Sequence, residues 1–130
     1  MTIKSARELV AAANAAVEVL AVEEVEALRQ QPDVQLIDVR EPTEWAKGHI
    51  PGAVHVPRGL LEFKADPSLE AYWDSAIDPA KRLITYCASG GRSALAAKTL
   101  KDMGYPRVGH LQGGFTAWSD AGKPVARASG

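Results

Sequence analysis

Cysteine is almost absent from this sequence: among 130 residues there is one, Cys87, together with three histidines. One cysteine cannot form a disulfide within the chain, and three dispersed histidines with one thiol make a poor zinc site. We therefore expect a fold that depends on apolar packing, with no bound metal and with the thiol kept reduced. A chain of this length buries roughly two-thirds of its unfolded surface, which is enough for one domain.

An excess of charge of one sign is also missing, because 15 basic residues face 16 acidic ones. Nucleic-acid-binding proteins usually present a basic patch, so we expect no nucleic-acid partner. Long apolar runs are lacking as well. Residues 9–17 are alanine-rich and contain Asn14, which makes them too short and too weakly apolar to cross a bilayer. Residues 1–5 lack the layout of a signal peptide. We expect a cytoplasmic protein with no membrane partner.

Segments typical of strands and helices alternate along the chain. The apolar segments 34–39, 54–56, 82–86 and 108–111 are predicted to be strands. Helices are predicted at residues 22–30, from Pro42 onward, at 93–103 and at 115–121, with residues 57–79 forming a helical excursion or lid. This alternation predicts an α/β fold around a parallel sheet.

The N-terminal segment is predicted to be a separate helix. Ser5 and Glu8 form a capping box, which predicts a helix from there to about residue 19. Its alanine-rich sequence offers only a thin apolar stripe, so we expect it to dock as an appendage. We therefore divide the chain into a helical extension, residues 1–20, and a main domain, residues 21–130.

Cys87 lies where the predicted strand 82–86 gives way to a glycine-rich loop and then a helix. In open α/β sheets ligands bind beyond the carboxyl ends of the strands. The loop N–H groups, the helix dipole and the positive charge of Arg92 all favour a thiolate over a thiol. Such surroundings can lower a cysteine pKa from about 8.5 to between ~3.5 and ~7.5. Cys87 is thus predicted to be an ionised nucleophile, the alternative being a buried structural cysteine.

The pattern Cys87-x-x-Gly90-x-Arg92-Ser93 resembles the active-site loop of rhodanese-type sulfurtransferases. Three further segments resemble that family in the same order. They are Leu-Ile-Asp-Val-Arg-Glu-Pro at 36–42 followed by Glu-Trp at 44–45, Gly-His-Ile-Pro-Gly-Ala at 48–53, and Leu-x-Gly-Gly at 111–114 followed by a tryptophan at 118. The resemblance runs from about residue 22 to residue 124 and leaves out the N-terminal helix.

The resemblance implies a single-domain rhodanese-like fold, a three-layer α/β/α sandwich with a central parallel sheet of about five strands. It also implies that Cys87 takes a sulfane sulfur from a donor such as thiosulfate and holds it as a persulfide. Cyanide, a small thiol or a protein thiol would then accept the sulfur. The loop implied to cradle the sulfur comprises Ala88, Ser89, Gly90, Gly91, Arg92 and Ser93. The family requires no metal and no organic cofactor.

Two other functions stay open at this point. Cysteine phosphatases and related arsenate reductases use a Cys-x5-Arg loop, whereas four residues separate Cys87 from Arg92 here. The shorter loop makes a narrower cradle that suits a single sulfur atom, which favours sulfur transfer. A non-catalytic rhodanese module that binds a partner, through the N-terminal helix for example, is the other alternative. Such modules often lack the cysteine.

A few residues outside the loop are further candidates. Arg58, after the strand 54–56, could contact the sulfonate end of thiosulfate or be an ordinary solvated arginine. Asp38 and Arg40 are expected to support the site, Asp38 by accepting hydrogen bonds near the loop and Arg40 by pairing with Glu44 four residues on. His110, within an apolar strand, is predicted to be a structural residue.

Overall fold

A five-stranded sheet, parallel throughout, forms the centre of the computed structural model, which describes residues 2–127. In chain order the strands are β1 (Glu18–Leu20), β2 (Val34–Asp38), β3 (Val54–His55), β4 (Arg82–Tyr86) and β5 (Val108–Leu111). Their order across the sheet is β1-β5-β4-β2-β3. The predicted α/β class and the parallel sheet of about five strands are therefore confirmed.

Helices cover both faces of the sheet and complete the three-layer sandwich. They are α1 (Ala6–Ala16), α2 (Val22–Leu28), α3 (Pro42–Lys47), α4 (Leu61–Lys64), which follows a 3-10 turn at Arg58–Leu60, α5 (Gly91–Met103) and α6 (Gly114–Asp120). Helices α1 and α4 contact α5. Among residues 2–127, none of these helices combines the length and the apolar character needed to cross a membrane.

The core consists of two apolar clusters, one on each face of the sheet. Successive strand residues point to opposite faces, so Ile37 joins Leu61 and Leu100 of α4 and α5, whereas Leu36 lies in the cluster of α2 and α6. Trp118 of α6 is fully buried in that second cluster. Burial on both faces explains why the strands read as continuous apolar segments rather than as alternating ones.

The edge of the sheet differs from the prediction. The N-terminal helix ends at Ala16 rather than near residue 19, and β1 pairs in parallel with β5, with Val19 opposite His110. The sequence from 17 to 20 is Val-Glu-Val-Leu, whose β-branched residues favour extended backbone. Glu18 and Val19 are exposed and Leu20 is buried, so only the last residue of this edge strand joins the core. The extension 1–20 thus contributes an edge strand as well as a helix.

The predicted lid, residues 57–79, contains little regular structure. A 3-10 turn and the short α4 are followed by turns up to the start of β4. Leu61 and Ile77 anchor the segment in the core, whereas Phe63 and Tyr72 are more than half exposed. The segment therefore lies against the sandwich by a few apolar contacts and presents aromatic side chains to solvent.

Candidate active site

Cys87 directly follows β4, which lies between β2 and β5 in the middle of the sheet. The residue is 1% exposed. Its Sγ lies 3.1 Å from the N of Gly90, 3.4 Å from the N of Ser93 and 3.5 Å from the Oγ of Ser93. Gly90 has φ +118°, a left-handed conformation that lets the loop turn back on the sulfur before α5 begins. The loop therefore forms a cradle of hydrogen-bond donors around one sulfur atom.

This cradle favours the ionised thiol. Burial raises the pKa of Cys87, but hydrogen bonds from the Ser93 hydroxyl and from the N–H groups of Ser93, Gly90 and Ser89 together outweigh burial and lower that pKa below its ordinary value. Hydrogen bonds to the charged form always act in this direction. The site can hold an anionic sulfur without a metal, and residues 2–127 contain no cluster of metal-ligating side chains.

The start of α6 fixes the other side of the loop. The N–H of Phe115 donates to the carbonyl of Cys87 (2.8 Å), and the N–H of Thr116 donates to that of Ala88 (3.1 Å). Gly114, at φ +60°, makes this approach possible, because a Cβ there would lie 2.6 Å from the Ala88 carbonyl oxygen. The Gly-Gly pair at 113–114 is part of the sequence pattern described above, and the structure shows its role: it lets the start of α6 hold the cysteine loop by backbone hydrogen bonds.

Arg92 lies at the exposed side of the cradle. Its Nη1 and Nη2 donate to the two carboxylate oxygens of Glu44 at 2.8 and 3.0 Å. The hydrogen bond from Arg92 is the main reason that the pKa of Glu44 falls to about 2. The anionic form of Cys87 contributes to raising the pKa of Arg92, after the hydrogen bond with Glu44. The arginine charge is thus shared between a carboxylate and the sulfur.

The predicted pairing of Arg40 with Glu44 is wrong. Arg40 instead binds Asp38, with Nη2 2.8 Å from Oδ2 and Nε 3.1 Å from Oδ1, and both residues are almost fully buried. The pair forms because Arg40 follows the end of β2 and its side chain turns inward. The same guanidinium donates to the carbonyl of Gly48 at 2.6 Å and lies 4.4 Å above the ring of Phe115. The ion pair therefore connects β2 with the 48–53 loop and with α6.

Arg58 has its contacts along α5. Its guanidinium donates to Glu62 at 3.0 Å and to Thr99 at 3.1 Å. Thr99 is six residues beyond Ser93, which corresponds to roughly 9 Å of helical rise from the cradle. The suggested contact of Arg58 with the sulfonate group of a donor remains a prediction.

Two residues near the cysteine were not predicted to belong to the site. The Oγ of Ser93 lies 3.0 Å from Nδ1 of His110, whose Nε2 lies 2.6 Å from Oδ1 of Asn14. His110 is 2% exposed and belongs to β5. Helix α1, expected to be an appendage, therefore reaches the site through Asn14. A lone asparagine inside an alanine-rich helix was the only sequence signal for this contact.

A family model of the rhodanese-like domain matches residues 21–121. A sulfurtransferase of Allochromatium vinosum is 36% identical over 103 residues, which cover 79% of this chain and 88% of that protein. The thiosulfate:glutathione sulfurtransferase of Saccharomyces cerevisiae is 39% identical over 99 residues, covering 72% of this chain and 70% of that protein.

One solved structure matches nearly the whole chain. It is a protein of unknown function from Rhodopseudomonas palustris, described as a possible tyrosine phosphatase, with a TM-score of 0.90 and 41% identity. The match covers 97% of this chain and 98% of that one. The similarity therefore includes most of the N-terminal extension, which lies outside the match to the family model.

Proposed function

This chain belongs to the rhodanese-like domain family, and we propose that it is a sulfurtransferase that carries sulfane sulfur as a persulfide on Cys87. The observation that carries the proposal is the cradle of donors around Sγ, which lowers the pKa of the thiol. Relatives named as sulfurtransferases support the same reaction class. Covalent catalysis of this kind divides one transfer into two easier steps.

In the first step the Cys87 thiolate attacks the outer sulfur of a donor such as thiosulfate. A bond forms between Sγ and that sulfur while the bond to the sulfonate sulfur breaks, and sulfite leaves with the electron pair. The product is a persulfide anion on Cys87. The N–H groups of Ser89, Gly90 and Ser93, which stabilise the thiolate, would stabilise this anion as well. In this proposal the remaining loop residues, Ala88, Gly91 and Arg92, complete the cradle around the outer sulfur.

In the second step an acceptor removes the outer sulfur. Cyanide or a thiolate attacks that sulfur, the S–S bond to Sγ breaks, and the Cys87 thiolate is restored with the electron pair. The sequence contains no second cysteine that could resolve the persulfide. The acceptor is therefore an external molecule, either small or a protein thiol, and the cycle uses no resident metal or organic cofactor.

Residues outside the loop have supporting roles in this proposal. Asp38 and Arg40 hold the 48–53 loop and α6 in place, and α6 in turn clamps the carbonyl of Cys87. Arg58 is the candidate for recognising the distal anionic end of a donor. For this its side chain must exchange its contacts with Glu62 and Thr99 for the ligand.

Mass measurement of the intact protein tests the proposal. Incubation with thiosulfate is expected to add one sulfur atom to the wild-type chain, and cyanide is expected to remove it as thiocyanate. Cys87→Ser, which keeps a small polar side chain in the cradle, is expected to show neither change while retaining its fold by circular dichroism. If the wild type takes no sulfur from thiosulfate, mercaptopyruvate or a persulfide donor, the proposal is wrong.

Phosphate ester hydrolysis is a second candidate because the Rhodopseudomonas palustris protein is described as a possible tyrosine phosphatase. Against it, only four residues separate Cys87 from Arg92, and Arg92 is occupied by Glu44. Turnover of an aryl phosphate distinguishes the two reactions. Hydrolysis that vanadate inhibits and that Cys87→Ser abolishes would favour the phosphatase; we expect no such turnover. A thiol with an ordinary pKa and no reaction would instead indicate a binding module.

A further inference from the structure

A continuous chain of hydrogen-bonding groups runs from the cysteine to the N-terminal helix. Sγ of Cys87 lies 3.5 Å from Oγ of Ser93, which is 3.0 Å from Nδ1 of His110, and Nε2 of that histidine is 2.6 Å from Oδ1 of Asn14. The three inner residues are at most 2% exposed, whereas Asn14 lies on the exposed surface of α1. The chain therefore connects a buried thiol to the outside through four elements of the fold.

Asn14, at the outer end of this series of hydrogen bonds, fixes which groups donate and which accept. An amide oxygen can only accept, so the Nε2 of His110 carries the proton donated to Asn14, and Nδ1 is left with a lone pair. In the relay that lone pair accepts from the Ser93 hydroxyl, whose oxygen lies 3.0 Å from Nδ1 and 3.2 Å from its other acceptor, the carbonyl of Gly90. The oxygen of Ser93 then accepts from the thiol of Cys87. The arrangement resembles a nucleophile and a base held in one orientation by a third group, with a serine inserted between them.

We infer that Ser93, His110 and Asn14 form a proton relay that takes up the proton of the Cys87 thiol and later returns it. The inference rests on the proposed role of Cys87 as the nucleophile. As the thiolate forms, the thiol proton passes to the oxygen of Ser93 while the proton of Ser93 passes to Nδ1 of His110. The product is a thiolate and an imidazolium, so no proton is gained or lost.

Every hydrogen bond in the chain survives this transfer. Afterwards Nδ1–H of His110 donates to the Ser93 oxygen, the Ser93 hydroxyl donates to the thiolate, and Nε2–H still donates to Asn14. Because each of these buried groups has a hydrogen-bond partner both before and after the transfer, the transfer carries no desolvation cost from an unpaired polar group. When an acceptor takes the sulfur and the thiol is regenerated, the same two transfers run in reverse.

The surroundings of His110 suit a base rather than a permanent cation. Burial lowers the pKa of His110, which favours the neutral imidazole from which the relay starts. The charged side chains on the elements packed around His110 are engaged elsewhere. The pairs are Glu18 of β1 with Arg82 of β4, Lys101 of α5 with the Ala16 carbonyl, Lys98 with Asp102, Arg92 with Glu44, and the carboxylate of Glu8 in α1 with the N–H and hydroxyl of Ser5. Arg7 lies two turns from Asn14 on α1, and Cys87 is the remaining titratable neighbour.

Asn14 and His110 act through Ser93 and are positioning residues, so a test needs a readout that a structural role would leave unchanged. The pH profile of Cys87 alkylation by iodoacetamide, followed by intact mass, provides one and needs no sulfur transfer. Asn14→Asp places a carboxylate against Nε2 and stabilises the imidazolium. We expect it to lower the midpoint of the profile by about one pH unit, or tenfold in rate on the acid limb. Asn14→Leu is expected to raise the midpoint.

Ala15→Asp is the matched control, because it adds the same charge to the same helix at an exposed neighbouring position. It is expected to leave the midpoint unchanged. In a His110→Gln background the effect of Asn14→Asp is expected to vanish, as the double-mutant cycle requires for two residues that act as a unit. If His110→Gln does not fold, Ser93→Ala serves as the background.

The result that overturns the relay is a midpoint that Asn14→Asp leaves in place, or that it shifts equally in the two backgrounds. An equal shift from Ala15→Asp also overturns it, because the effect is then a general one of charge. The outcome is independent of sulfur transfer. If the alkylation profiles are as expected but the protein takes no sulfur, the relay stands and the proposed function is wrong. If the protein transfers sulfur but Asn14→Asp leaves the alkylation midpoint unchanged, the relay is wrong and the proposed function stands.

Discussion

Cys87 has groups that stabilise its thiolate on two sides, one buried in the protein and the other exposed to solvent. On the buried side Ser93 is fully buried; its N–H donates to the sulfur, and its hydroxyl donates to the sulfur once the thiol is ionised. On the exposed side Arg92 carries a full charge, yet its side chain is 39% exposed and is bound to Glu44. A neutral hydroxyl in the interior and a charged group at the surface can therefore be compared by how much each lowers the pKa of the same thiol.

Burial of a donor affects its stabilisation of the thiolate more than its formal charge does. A hydrogen bond inside the protein is strengthened by the low local dielectric and has no water to compete with it. An exposed charge is weakened by solvent and by its own counter-ion. The causes that lower the pKa of Cys87 accordingly begin with Ser93 and continue with backbone N–H groups. We expect the buried side to dominate, and three substitutions test this ranking.

The largest effect is expected from Ser93→Ala. Loss of the hydroxyl removes one donor to the thiolate and leaves Nδ1 of His110 without its partner. Hydrogen bonds to charged groups contribute about 1.5–3 kcal/mol, so the pKa of Cys87 is expected to rise by about one unit or more. Ultraviolet absorbance of the thiolate against pH measures the shift.

Ser89→Ala is the matched control for that substitution. Ser89 belongs to the same loop and is exposed, and its N–H, which the substitution keeps, is its contribution to the lowered pKa of Cys87. The control is expected to leave the pKa of the thiol unchanged. Equal shifts from the two substitutions would mean that loop rigidity, rather than the Ser93 hydroxyl, stabilises the thiolate.

Arg92→Ala is expected to have a smaller effect on the same pKa. The charge of Arg92 is paired with Glu44 and its side chain is partly exposed, so the pKa of Cys87 is expected to rise by less than about half a unit. The shift is expected to disappear in about 1 M salt, where the screening length is only ~3 Å, while the shift from Ser93→Ala persists. A salt-resistant shift as large as that of Ser93→Ala would reverse the ranking of the two sides.

The smallest effect concerns stability in acid. The pKa of Glu44 is lowered to about 2 from an ordinary value of 4.5, so its ion pair with Arg92 stabilises the fold above pH 4.5 and is lost as the pH falls through about 2. Glu44→Gln is expected to be less stable than the wild type near neutral pH, with the difference shrinking between these two values. Urea unfolding at several pH values measures the difference.

Glu24→Gln is the control for that experiment. Both glutamates accept a hydrogen bond from the N–H at the start of their own helix, Glu24 from Ala21 and Glu44 from Glu41. Glu44 also binds an arginine. If the two variants show the same dependence on pH, helix capping rather than the ion pair accounts for the effect.

Much of the fold and the centre of the candidate site could be predicted because their signals are local. The segment 82–86 is rich in β-branched and aromatic residues, which favour a strand. The two glycines and Arg92 lie within five residues after Cys87. The start of α1 at Ser5 follows from a capping box that the structure contains. Each of these features depends on neighbours a few residues away, which a single sequence displays.

The edge strand β1 escaped prediction because its conformation depends on a distant partner. Three residues are too few to form a strand alone, and the preceding alanine-rich segment favours a helix. Pairing with β5, some ninety residues further along, provides the hydrogen bonds that make the extended form stable. The predicted Arg40 pairing was wrong for a different reason. Helix α3 begins at Pro42, so Arg40 lies before it and no helical turn brings its side chain to Glu44; the guanidinium binds the buried Asp38 instead.

The sequence by itself determined the α/β class and the family and made Cys87 the candidate nucleophile, because apolar strand segments, glycine positions and the cysteine motif each occupy a short stretch of sequence. Only the tertiary structure decided which groups surround the sulfur. Glu44 reaches Arg92 across 48 residues, and Asn14 reaches His110 across 96. Glu44 and Arg92 meet because β2 and β4 are parallel neighbours, so the helices that follow them, α3 and α5, begin at the same edge of the sheet. Asn14 meets His110 because α1 packs against α5 and leads into β1, the neighbour of β5. No local pattern encodes either relation.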